Sequence, residues 1–340
     1  MTSFLKKYFN MVNRLMPVGS QQGSSIGIDI GGNECRLVEI VKSGQSFELV
    51  GWAIEPIHQG DIRAALSKIL RQAKFPSKEA CTAVYGKGTL MRYISFPRMA
   101  FDDLKKSFII EAERYFPFPS DQIYTDCFIL DPGDKGKQMS VMVAAAKKEL
   151  IDERIKLLTE AGVQPDFIGI NAIALANAFH VFADNEEWSK EPVLALLDIG
   201  DSVSNLMILK NKLPLFMRDI FVGSQDMIKK INQSNVPDAD KAGAMALGEA
   251  EIMQIIQEVR LSFDYFSTEK NQEVSQILVT GAAAALNGLM NILEKNLELK
   301  ASMWDPLKHL KKSAELSSSL KKEDSFKLGV ALGLALYQYD

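Results

Sequence analysis

Apolar and polar positions along the chain fall into two periods, and their order along the sequence is itself a pattern. In SSIGIDIGGNECRLVEI, Ile26, Ile28 and Ile30 alternate with Gly27 and Asp29; a turn at Gly31-Gly32-Asn33 then leads into a second apolar run. That pattern predicts a hairpin of two strands. The segment EPVLALLDIGDSVSNLMILKNKLPLFMRDI repeats the plan, with a buried-type run Val193 to Leu197, a turn Asp198-Ile199-Gly200-Asp201-Ser202, and a return strand through Leu206 to Leu209. Recurrence of one strand-and-turn unit predicts two similar halves.

Helical periods fill the intervals. Leu104, Phe108, Ile109 and Ala112 share one face of a helix over 102–115, and Leu150, Ile151, Ile155 and Leu158 one face of a helix over 148–161, both beside short strands. The acids Glu111, Glu113, Glu149, Asp152 and Glu153 read as solvated helix faces. Near the C-terminus FKLGVALGLALYQYD predicts a buried helix with Leu328, Ala331, Leu332 and Ala335 inward. Ahead of the first strand, Phe4, Leu5, Tyr8, Phe9, Val12, Leu15 and Met16 form one apolar stripe with Lys6, Lys7 and Arg14 beside it, and Pro17 stops it. Residues 4–16 thus predict a basic amphipathic helix, suited to an anionic membrane surface or a partner's groove; the alternatives are packing on its own domain or a mostly disordered terminus.

Composition narrows the function classes. A chain of 340 residues suggests about two domains, and 47% hydrophobic with 24% charged residues is the composition of a soluble globular protein. Net charge is −4, from 39 basic and 43 acidic residues, which argues against nucleic-acid binding. Cys35, Cys81 and Cys127 are too scattered for a disulfide framework or zinc site and read as reduced core residues. His58, His180 and His309 supply no metal-ligand pair. The sequence has no membrane-length apolar stretch and no secretory h-region, so the expected location is the cytoplasm.

The doubled turn carries candidate chemistry. Glycine lets backbone approach a phosphate closely, and successive N–H groups in a tight turn form a concave anion site. Two such hairpins can clamp a polyphosphate, with Asp29 and Asp198 at the strand ends holding the waters of a Mg2+ ion. A third unit, QILVTGAAAALNGL, is a strand over Ile277 to Val279 that ends at Thr280-Gly281 and passes through small residues into a helix, where a nucleotide can pack on backbone.

DIGGN, DIGDS and LVTGAAAALNGL, in this order and spacing, resemble the two phosphate motifs and the adenosine motif of the actin, heat-shock chaperone and sugar kinase superfamily. FDDLKKSFIIEAERYFPFPSDQIYTDCFIL and VMVAAAKKELIDERIKLLTEAGVQPDFIGINAIALANAF, within a resemblance spanning about residues 24 to 340, are similar to the PilM family of type IV pilus assembly, itself related to FtsA. The resemblance implies an α/β, actin-like (ribonuclease H-like) two-domain fold with a small α/β insert of the FtsA/PilM type. Its implied divisions are an N-terminal extension 1–23, a first half 24–97 with the insert 98–165 and a return 166–190, a second half 191–225, a short subdomain 226–274, a return 275–324, and a terminal helix 325–340 on the first half.

It also implies a site for ATP and Mg2+. Gly31, Gly32 and Asn33 would face the phosphates from one half and Gly200, Asp201 and Ser202 from the other. Asp29 and Asp198 would order Mg2+ waters, Gly281 and Ala282 would pass the adenosine, and Lys241 would reach base or ribose. Two departures bear on turnover. Ala282 stands where the family's adenosine motif has a second glycine, and Asn171 stands where hydrolysing relatives place a water-positioning glutamate or glutamine. Asparagine is no base at neutral pH, so the expectation is binding with slow or absent hydrolysis.

The implied function is an ATP-binding scaffold, cytoplasmic and peripheral to the inner membrane. Its partner would be the N-terminal peptide of a PilN-type inner-membrane protein, with ATP as a conformational clamp. The alternatives are an FtsA-like membrane-tethered filament, or a small-molecule kinase of the same superfamily, for which no acceptor-side aspartate signature stands out.

Overall fold

The computed structural model describes residues 23–44, 46–72, 79–130, 136–183, 188, 193–233 and 248–339. The predicted amphipathic segment 4–16 and Lys241 lie outside them.

Alternating apolar positions form the first hairpin as expected. Strand β1 (Ser25–Ile30) pairs antiparallel with β2 (Glu34–Ser43), which pairs antiparallel with β3 (Ser46–Pro56). After helix α1 (Ile62–Gln72), β4 (Glu79–Val84) returns parallel to β1, and β8 (Gln164–Ile170) lies parallel to β4. With the two-residue strand β14 (Lys311–Lys312) at its far edge, this sheet has the order β14-β3-β2-β1-β4-β8.

The second sheet repeats the plan strand for strand. It is built from β9 (Val193–Ile199), β10 (Ser204–Lys210), β11 (Leu213–Ile220), β12 (Gln276–Gly281) and β13 (Lys300–Met303), in the order β11-β10-β9-β12-β13. Its first three strands are an antiparallel meander, and β12 and β13 add parallel to β9. Thus β9, β10, β11, β12 and β13 occupy the places of β1, β2, β3, β4 and β8.

Between β4 and β8 the chain inserts a third sheet, β5 (Thr89–Pro97), β7 (Gln138–Lys147) and β6 (Ile123–Ile129), antiparallel throughout. Helix α2 (Phe101–Tyr115) buries Leu104, Phe108 and Ala112 against it. The sequence reading put Ile109 on that face, but Ile109 is 60% exposed. One residue past Phe108 is about 100° around the helix, and the buried stripe is the narrow 104, 108, 112 row. In α3 (Lys148–Glu160) Leu158 is buried and Leu150 and Ile151 half-buried, whereas Ile155 is exposed for the same geometric reason.

Two helices fill the space between the sheets. Helix α4 (Asn171–Phe182) follows β8 directly, and the C-terminal segment, read as one helix, divides into α9 (Lys322–Lys327) and α10 (Gly329–Leu336). All eight residues of α10 are buried, not one face of it, because α10 lies between α4 and the first sheet. Gly333 touches the carbonyl of Ala174, and any side chain there would push the two helices apart. Among the described residues the remaining α-helices are α5 (Gln225–Gln233) and α6 (Glu249–Lys270) after β11, α7 (Leu289–Leu297) before β13, and α8 (Ala314–Ser319) after β14. Cys35, Cys81 and Cys127 are free and buried. No helix among the described residues is long and apolar enough to cross a membrane.

Candidate functional site

Hairpin register decides what faces each strand-end aspartate. In the first hairpin Asp29 lies opposite Arg36, and in the second Asp198 lies opposite Asn205. Equivalent places in the repeat therefore hold an arginine in one half and an amide in the other. Past each aspartate the chain turns. Gly31 donates its N–H to the Glu34 carbonyl at 3.0 Å, and the Asn33 carbonyl accepts from Ile57 at 2.6 Å. The second turn is tied to the start of α5, where the amides of Ser224 and Gln225 donate to the carbonyls of Gly200 and Asp201 at 2.8 and 2.9 Å.

The two turns meet face to face. A Cβ on Gly32 would collide with the Ser202 hydroxyl, and one on Gly31 would stand 2.8 Å from Arg36 Nη1 and 3.2 Å from Asp201 Oδ2. Arg36 is the hub between them. Its Nη1 donates to Asp29 Oδ2 at 3.1 Å, and its Nη2 donates to Glu34 Oε2 at 3.1 Å and, across the interface, to Asp201 Oδ2. Side chains of Arg36, Asp29 and Asp201 are each less than a tenth exposed. Lys327, at the end of α9, donates to the other oxygen of Glu34 at 3.0 Å. From the start of α4, Asn171 donates Nδ2 to Asp29 Oδ1 at 3.3 Å, while its own Oδ1 is buried with no hydrogen-bond partner.

The third unit arrives where the sequence suggested. Strand β12 ends at Gly281 with φ +90°, against Asp198 Oδ1, and a Cβ there would stand 2.6 Å from the Ile199 carbonyl. Both the positive φ and the close backbone demand glycine. Ala282 follows into the same crevice, which Asp29, Arg36, Asp198, Gly200 and Lys327 also line. Its continuation is bounded by Asn33, Asp201, Ser224 and Lys229. So Asp29, Gly31, Gly32, Asn33, Asp198, Gly200, Asp201, Ser202, Gly281 and Ala282 come together at one place between the sheets, with Asn171 behind Asp29.

Four acids and three bases share this place: Asp29, Glu34, Asp198 and Asp201 against Arg36, Lys327 and, at the continuation, Lys229. Burial raises the Asp198 carboxyl to about 7 and is only partly opposed by Arg36. Burial also raises Asp29, ahead of the lowering by its ion pair with Arg36. Glu34 is less enclosed; desolvation pulls it up, but Arg36 and Lys327 together hold it below the usual carboxylate range. Arg36 stays charged, since its three carboxylates outweigh its desolvation.

A nucleotide with Mg2+ fits this donor set. Arg36 and Lys327 are the cations at the crevice, the two glycine turns offer close backbone, and Asp29 and Asp198 sit at the ends of the equivalent strands. Among the described residues no group of three or more His, Cys, Asp or Glu is placed to hold a metal directly, so a cation here would rest on water and phosphate oxygens, as Mg2+ prefers.

Sequence reading missed Arg36, Glu34 and Lys327. A signal existed for the first. In ECRLVEI an arginine stands within a largely apolar run, and a turn of Gly31-Gly32-Asn33 sets Ile30 opposite Cys35 and hence Asp29 opposite Arg36. Lys327 had no local signal, because it reaches Glu34 from 293 residues away.

A second concavity lies away from the crevice. It is a groove of about 230 Å3 between β6, an edge of the inserted sheet, and β8, the edge of the first sheet. Met142, Ala144 and Ile173 form its floor with Leu334, and Phe167 stacks on Tyr337 at a centroid distance of 3.5 Å. Tyr124, 51% exposed, stands at its rim.

The profile of the type IV pilus assembly protein PilM family matches residues 27–339. Among solved structures, the fold is similar to the "PilM-PilN type IV pilus biogenesis complex" at 24% identity and a TM-score of 0.80, over 94% of this chain and 100% of that one. A second likeness, at 14% identity and a TM-score of 0.49 over 98% of each chain, is to the ethanolamine utilization protein EutJ from Carboxydothermus hydrogenoformans. A third is to an activator of 2-hydroxyisocaproyl-CoA dehydratase from Clostridium difficile, at 12% identity and a TM-score of 0.45, over 93% of this chain and 94% of that one.

Proposed function

The chain belongs to the type IV pilus assembly protein PilM family, and from that premise we propose that it is a nucleotide-holding scaffold that docks the cytoplasmic N-terminal tail of a PilN-type inner-membrane protein. The observation that carries the docking is the groove between β6 and β8. Both strands are sheet edges, so their outward backbone groups can pair with an extended peptide while Met142, Ala144 and Ile173 take its apolar side chains. One edge amide is already engaged, Cys127 N–H to Asp126 Oδ1 at 2.9 Å, which sets the register available to a guest strand. A structure similar to this chain at a TM-score of 0.80 is of a complex named for such a pair.

The crevice supplies the second half of the reading. Gly31 and Gly32 from one half and Gly200 to Ser202 from the other would hold the phosphates of ATP, with Arg36 and Lys327 as cations, Asp29 and Asp198 ordering Mg2+ waters, and Gly281 and Ala282 against the adenosine. Bound there, a Mg-nucleotide supplies charge that both halves recognise at once, which favours one relative arrangement of the halves only by its difference in affinity for the two. Asn171 donates to Asp29 and offers no base, so the residues of this chain bind and orient rather than activate water. We read the sheets as the divisions set out above: first half, insert, second half and terminal helix. The protein would work on the cytoplasmic side of the inner membrane, held there by its partner.

Calorimetry tests both parts. Mg-ATP should bind the protein and fail to bind Asp29→Ala and Asp198→Ala. A synthetic PilN-type tail should bind, lose its affinity in Ala144→Arg, which fills the groove, and bind with a different affinity when Mg-ATP is present. Equal tail affinity with and without Mg-ATP would remove the coupling, and undiminished tail binding to Ala144→Arg would remove the groove.

A further inference from the structure

The guanidinium of Arg36 holds carboxylates from both halves. Asp29 and Glu34 flank it on its own hairpin, whereas Asp201 reaches it from the second half, 165 residues away. The same interface presses Gly32 onto Ser202. A planar guanidinium satisfies carboxylate and phosphate oxygens with the same paired geometry. Its hydrogen-bond capacity is not exhausted, since Arg36 Nε is buried without a partner.

We propose that Arg36 is a clasp across the cleft, holding the two glycine turns together through Asp201, and that a Mg-polyphosphate enters by taking Arg36 away from Asp201. This rests on the nucleotide reading above and adds a competition to it: the second-half carboxylate and the phosphate cannot both have the same guanidinium face. Glu34 stays with Arg36 in either arrangement, because both belong to β2 and Lys327 secures its other oxygen. The halves remain joined elsewhere when the clasp opens. The Asp219 carboxylate accepts the Gly86 amide, and the Lys87 ammonium lies 5.9 Å from the centre of the Phe221 ring.

Two near-isosteric variants separate the clasp from simple charge relief. Asp201→Asn removes the carboxylate that crosses the cleft, and Glu34→Gln removes one that does not. Hydrogen exchange of the ligand-free protein should show the amides of 31–33 and 200–203 exchanging at least tenfold faster in Asp201→Asn and within about twofold of the parent in Glu34→Gln. Arg36→Lys, which keeps the charge but loses the fork, should fall between. Calorimetry with Mg2+ and inorganic tripolyphosphate, and with Mg-ATP, should give at least threefold tighter binding to Asp201→Asn.

Unchanged exchange at 200–203 in Asp201→Asn, or equal effects from Glu34→Gln, overturns the clasp and leaves the nucleotide reading standing if Mg-ATP binds. Faster exchange with no Mg-ATP or tripolyphosphate binding by any form overturns the competition and the nucleotide reading together.

Discussion

The hairpins β1–β2 and β9–β10 are the same object built twice, and one residue sets them apart. Each ends in Asp-Ile-Gly, each is followed by a third antiparallel strand, and each receives a parallel strand on its other side. Opposite the aspartate, however, one hairpin carries Arg36 and the other Asn205. Burial raises both carboxyls, but Asp29 has Arg36 opposite it and in contact, whereas Asp198 has an amide opposite it, is only partly opposed by the more distant Arg36, and is pushed up to about 7. Topology repeats the backbone, and the side chains then divide the electrostatic work. The first hairpin carries the cation that both halves use, and the second carries a carboxyl whose charge is only partly formed at neutral pH.

The comparison can be broken most severely at Arg36. Arg36→Met leaves Asp29, Asp201 and Glu34 buried or half-buried with their main counter-ion gone, and should cost about 3–5 kcal/mol in chemical denaturation at pH 8. Asn205→Ala, at the equivalent place, should cost far less, on the order of 1 kcal/mol. Equal losses would show that the two hairpins are not electrostatically distinct.

Asp198→Asn sharpens the comparison through pH. A native carboxyl at about 7 against an ordinary 3.8 keeps its proton while the unfolded chain loses it, so this group's contribution to stability falls as pH rises from about 4 to about 7. Neutral asparagine removes that dependence. At about 1.4 kcal/mol per pH unit over that interval the ceiling is about 4 kcal/mol, and a gain of about 2 kcal/mol at pH 8 with none at pH 4 is the expected result. A flat parent profile across this range would refute it.

Gly32→Ala tests the contact between the turns. Its methyl would meet Ser202, so the halves must shift, at a cost of about 1–2 kcal/mol that Ser202→Gly should largely restore in a double-mutant cycle. Ile110→Ser, on the exposed side of α2 at 83% accessibility, sets the floor and should change stability by less than about 0.5 kcal/mol.

Much of this arrangement was legible in the chain. Alternation in SSIGIDI and the continuous apolar run VLALLDI, each followed by a glycine-bearing turn, marked the duplicated hairpins, the second as a strand with both faces covered. Thr280-Gly281 marked the end of β12, and the structure sets Gly281 against Asp198 and the Ile199 carbonyl. Helix faces were read too widely at Ile109 and Ile155. Periodicity marks which residues share a side but not how wide a neighbour covers it. The buried terminal segment was recognised from its apolar density and placed on the first half by the resemblance, yet its packing against α4 was not foreseen.

By itself the sequence determined the local units: two glycine-turn hairpins, a strand ending in Thr-Gly, and an inserted α/β segment. Each depends on neighbours in the chain, through backbone conformations that only certain residues adopt and periods that only certain elements satisfy. Tertiary structure alone decided that Asp201 and Lys327 converge on the Arg36–Glu34 pair, and that two sheet edges face each other across a groove. The charged partners lie 165 and 293 residues apart in the chain, and nothing local distinguishes a charge that will be buried between two halves from one that will meet water.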